Sequence, residues 1–136
     1  MARVTIEDPA APGAAPMAAE DAPRTQAPVP AGWDEYRDAG GRMVVHAARR
    51  LGVRERMHFY RGLPAERQAN PLWMQLAMAV ACIRRVNGEP VPVPEGEREI
   101  EAMIGRVGDD IIDRINAANL ARIEAEFAEI EARAKN

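Results

Sequence analysis

The chain has 136 residues, 47% hydrophobic but only 4% aromatic, a formal net charge of −3, a single Cys and two His. That length allows one domain with a modest core, and the lone Cys82 excludes both an internal disulfide and a cysteine-rich zinc site. Ser is absent and the only Thr residues are Thr5 and Thr25, which excludes a Ser nucleophile.

Residues 9–32 consist almost wholly of Pro, Ala and Gly. Such a segment cannot bury enough apolar surface to offset its ordering entropy, so 1–32 reads as a disordered arm. The arm lacks the basic start and apolar run of a signal peptide. No window approaches the roughly 18 consecutive apolar residues of a membrane span. The expectation is a soluble chain that stays in the cytoplasm where it is made, with no membrane partner.

Residues 33–39 read as a junction or a short turn of helix, stopped by Gly40-Gly41. A compact helix is expected over 42–51, with Met43, Val44, Ala47, Ala48 and Leu51 on its apolar face and Gly52 as its cap. A second short helix follows over 53–62, with Val53, Met57 and Tyr60 on one side, and then a polar loop or a turn of helix to Ala69. Asn70-Pro71 is a strong helix start: Asn accepts orphan amide protons, and Pro pre-sets the first helical position. That helix is apolar around most of its circumference and is expected to run to about Val86, where Asn87-Gly88 ends it.

Pro90, Pro92 and Pro94 alternate with Val91 and Val93, which predicts an extended strut over 89–95. Helical spacing returns through Ile100, Met103, Ile104 and Val107, and Gly108 stops it. A last helix of about 25 residues carries the apolar stripe Ile112, Ile115, Leu120, Ile123, Phe127 and Ile130. The expected architecture is therefore all-α: four to five helices, a Pro-rich strut and a long C-terminal helix. The core spans 33–117, and the distal helix, 118–136, projects as a docking or dimerisation surface.

Few residues suggest chemistry. His46 and His58 lie on different expected helices without metal-ligand spacing. Asp109, Asp110 and Asp113, like Glu97, Glu99 and Glu101, sit where helix starts and solvated faces account for them. Cys82 reads as a buried thiol among Ala and Ile. No phosphate-binding glycine motif occurs. The expectation is a non-enzymatic protein without cofactor or metal.

Charge is segregated. Between residues 37 and 67 eight Arg stand against three acids, whereas from residue 95 onward eleven acids stand against six bases. The halves can attract each other within or between chains, or the basic one can bind a polyanion. In the second case Arg42, Arg49, Arg50, Arg54, Arg56 and Arg61 would contact phosphates, with Phe59 or Tyr60 stacking on a base.

Three segments together, LGVRERMHFYRGL, NPLWMQLAMAVACIRRVNGEPVPVP and EREIEAMIGRVGDDIIDRI, give residues 44–115 a resemblance to the small tail assembly chaperones of long-tailed bacteriophages and prophages. The resemblance implies a non-enzymatic protein that binds the tape-measure protein, keeps its long helices soluble and helps recruit tail-tube subunits. Such a protein would act in the host bacterial cytoplasm. It brings no catalytic residues. The expected partner surface is the exposed side of the central helix and its turn (Trp73, Arg84, Arg85, Asn87) together with the distal stripe (Leu120, Ile123, Phe127, Ile130). Trp73 as plain core, and a stripe folded back on the first helices, are the competing readings. A homo-oligomer is compatible with either. The alternative functions are a small Arg-rich nucleic-acid-binding regulator, or a minor phage structural or completion protein.

Overall fold

Residues 33–37, expected as a junction, form a strand: β1 (Trp33–Arg37) pairs antiparallel with β2 (Val44–Ala48), from Trp33↔Ala48 to Arg37↔Val44. A computed structural model describes residues 28–135, so the expected arm falls largely outside the described residues. Gly40-Gly41 is the tip of this hairpin and not a helix stop. Gly41 takes φ 71°, and Asp38 Oδ1 accepts the Met43 amide at 3.0 Å. The helix expected over 42–51 is replaced by β2, and only Gly52 keeps a role at a helix end. It precedes α1 (Val53–Arg61), and its amide donates to Glu55 Oε1 at 3.1 Å.

A short α2 (Ala65–Gln68) leads to α3 (Pro71–Ala81), where the Asn70 side chain accepts from the Leu72 and Trp73 amides, both at 3.1 Å. The start is the one that Asn-Pro encodes; the end is not. α3 stops at Ala81, and residues expected to continue it form β3 (Ile83–Val86), antiparallel to β2. Asn87 and Gly88 both take positive φ, 51° and 86°, and join β3 to β4 (Glu89–Pro90) as a two-residue hairpin turn. This is the paired left-handed geometry that Asn-Gly favours between strands. The Asn87 side chain also accepts the Val44 amide at 2.8 Å, locking the turn to β2.

The sheet therefore has the order β1-β2-β3-β4, and the fold is α+β, not all-α. Part of the proline strut belongs to it. Pro90 lies on an edge strand, where a missing amide proton breaks no ladder, and the Val91 amide resumes pairing with the Arg84 carbonyl at 2.9 Å. Val91 and Val93 pack on the core.

α4 (Glu97–Val107) and α5 (Asp109–Ala134) follow, separated only by Gly108 at φ 97°. Val45, Ala47, Ile83 and Val86 of the sheet join Phe59, Val80, Ile100, Ile111 and Ile115 in one core cluster. The buried positions of α5 are Ile111, Ile112 and Ile115, all in its first two turns. At 26 residues it is about 39 Å long, and it leaves its own core after less than half that length.

Candidate functional site

An open groove lies where α1, α3 and α5 meet. It consists of two adjoining hollows of about 320 Å³ each, which share Tyr60, Met78, Asn119 and Ile123. One hollow is mainly apolar, walled by Pro71, Met74 and Met78 of α3 and by Leu120 and Ile123 of α5. The other opens between the β2–α1 loop and α5, with Arg49, Arg50, Arg56 and Arg122 around it and Cys82 at its floor.

Ion pairs fasten the basic end. Arg49 grips Asp34 on β1 with two nitrogens, Nε at 3.1 Å and Nη2 at 2.9 Å from Oδ1. The hydrogen bond from Arg49 holds the Asp34 carboxyl below its ordinary range. Arg122 of α5 donates to the Arg49 carbonyl at 2.8 Å and to Asn119 Oδ1 at 3.0 Å, and Arg50 pairs with Glu126. These contacts pin the middle of α5 to the β2–α1 loop and leave exposed Arg56 on the rim. Burial pushes the Cys82 thiol upward, so it is a poor nucleophile at neutral pH.

Beyond the groove the apolar wall continues into solvent. Leu120, Ile123, Phe127 and Ile130 are 37, 48, 64 and 54% exposed, and Val53 and Met57 of α1 are exposed as well. Isolated exposed apolar side chains are ordinary; a continuous line of them along one helix marks a contact surface.

The other expected surface residues make contacts within the chain, Trp73, Arg84 and Arg85 half-buried and Asn87 exposed. Trp73 packs against the core with the Arg67 guanidinium 5.3 Å from its ring centre. Arg84 reaches Glu55 at 2.7 Å, Arg85 stacks 4.9 Å over Trp33, and Asn87 holds the hairpin. The structure thus groups Leu120 and Ile123 in the groove, with Phe127 and Ile130 along the same stripe, and sets the other four apart. Sequence reasoning missed Met74, Met78 and Asn119 as groove residues. Methionines at positions 74 and 78, one helical turn apart, were the available signal, but an apolar face by itself does not say whether a helix or solvent covers it.

The expected phosphate-binding face is partly taken up within the chain, while Arg42, Arg54, Arg56, Arg61 and Tyr60 stay exposed. Phe59 is 0% exposed and cannot stack on a base. Arg49 and Arg50 are paired with acids, and the residues expected as the first basic helix form β2. His46, 5% exposed, is hydrogen-bonded through Nε2 to Glu35 at 3.0 Å, with Nδ1 unpartnered among the described residues, while His58 sits on α1. Among the described residues no helix is long and apolar enough to cross a membrane. No protein-family model, curated protein or solved structure matches the chain.

Proposed function

We propose that the protein is a tail assembly chaperone of a bacteriophage or prophage, which holds apolar faces of the tape-measure protein in the host cytoplasm and helps recruit tail-tube subunits. The observation that carries this reading is the groove between α1, α3 and α5, continuous with the exposed stripe on a helix that outruns its core. Such a surface suits a long amphipathic helix, which inserts apolar side chains three and four residues apart into a concave apolar wall. The methionines at the groove floor adapt to varied side chains, as a client with many similar but unequal helical segments requires. The resemblance of residues 44–115 to the chaperone family points to the same client. No catalytic step is assigned; the work is binding that offsets the aggregation of an exposed apolar helix.

The test is co-expression with the tape-measure protein of the same phage or prophage, followed by nuclease treatment and affinity capture. The expected result is a complex that survives nuclease, a higher soluble yield of the client, and loss of both with I123E. An unchanged client yield together with no capture would refute the proposal. Recovery of nucleic acid alone would replace it with the polyanion reading.

A further inference from the structure

We infer that, without a client, the groove of one copy receives the distal half of α5 from a second copy. The two helices lie antiparallel about a two-fold axis near residue 125. Three observations carry this. The exposed stripe occupies positions 120, 123, 127 and 130, with steps of three, four and three that read the same in both directions. Antiparallel pairing therefore sets Leu120 of one copy opposite Ile130 of the other, and Ile123 opposite Phe127, so both halves of the interface are filled at once, as two-fold symmetry demands.

The second observation is placement. Leu120 and Ile123 line the groove, whereas Phe127 and Ile130 lie beyond it on a helix whose buried positions end at Ile115. Each copy thus offers a cleft next to the matching projection. The third is charge. The distal helix carries Glu124, Glu126, Glu129 and Glu131 against Arg122, Arg133 and Lys135, a small acidic excess, and the rim it would enter bears Arg56 beside the Arg50–Glu126 pair. The segregation of acids and bases along the chain becomes complementarity between copies.

The experiment is sedimentation of the full chain over a concentration series, together with cysteine crosslinking. The wild type is expected to move from monomer to dimer, and F127E to remain a monomer with an unchanged circular dichroism spectrum, since Phe127 is 64% exposed. A mixture of L120C and I130C chains should form disulfide-linked dimers far more efficiently than L120C alone; native Cys82, 3% exposed, stays out of the exchange. A monomeric wild type up to roughly 0.5 mM would overturn the inference, as would self-linking of L120C matching that of the mixture. Client capture is read separately by co-purification, so a monomer here leaves the chaperone reading standing.

Discussion

Gly62→Ala and Gly105→Ala should change stability in opposite directions although both sites have helical neighbours. Gly62 follows α1 with φ −82° and ψ −3°, ordinary right-handed backbone open to any residue. On backbone grounds alone, Ala there should stabilise by about 0.4–1 kcal/mol, by restricting the unfolded chain. The strut reverses the sign. A Cβ at Gly62 would run into the Glu95 carbonyl, with the carbonyl oxygen in hard overlap and the carbon at 2.9 Å. The obstacle is backbone, so it cannot swing aside as a side chain would. Overpacking costs about 1–3 kcal/mol, and an obstacle of fixed backbone puts this case at about 2–2.5 kcal/mol, which leaves a net loss of about 1–2 kcal/mol. In a domain of roughly 100 residues that lowers Tm by about 4–15 °C. At Gly105, on the exposed side of α4, a new Cβ meets nothing within 4 Å, and Ala should add about 0.5–1 kcal/mol. Thermal and urea unfolding of the two variants beside the wild type measures both. A Gly62→Ala protein as stable as the wild type would refute the close approach of strut and helix.

Asn87→Ala removes the acceptor of the Val44 amide and forces Ala to φ 51°; a loss of about 1–3 kcal/mol is expected, with Asn87→Gly less harmful, as urea midpoints would show. Asp34, whose carboxyl is held below its usual value by Arg49, contributes stability that is fully present above the unfolded-state value and is lost as pH falls through the lowered one. Unfolding curves from pH 6 down to about pH 3 should therefore decline less steeply for Asp34→Asn than for the wild type. Cys82, buried and with its thiol pushed up, should resist a thiol reagent in the native protein and react at once in denaturant; rapid native labelling would mean that the groove floor opens far more readily than its packing indicates.

Local chemistry alone determined where α3 and α5 begin. Asn70 and Pro71 start α3 because capping and a pre-set φ act within three residues, and Gly108 separates α4 from α5 for a similarly local reason. The stripe on α5 was legible because helical periodicity needs no partner to be seen. The sheet was not legible in the same way. Val44–Ala48 has the spacing of a short helix face, but its amides and carbonyls pair with residues as far away as Ile83 and Val86, and those bonds decide its conformation. Asn87-Gly88 suits a helix end and a hairpin equally well, since both need left-handed backbone; the strand beside it settled which. Of the expected surface, Trp73, Arg84 and Arg85 are half-buried by contacts within the chain and Asn87 stays exposed, because burial depends on what packs opposite a residue. The groove is wholly tertiary: Tyr60, Met78 and Ile123 come from three helices, and only packing on a common core brings them to one opening.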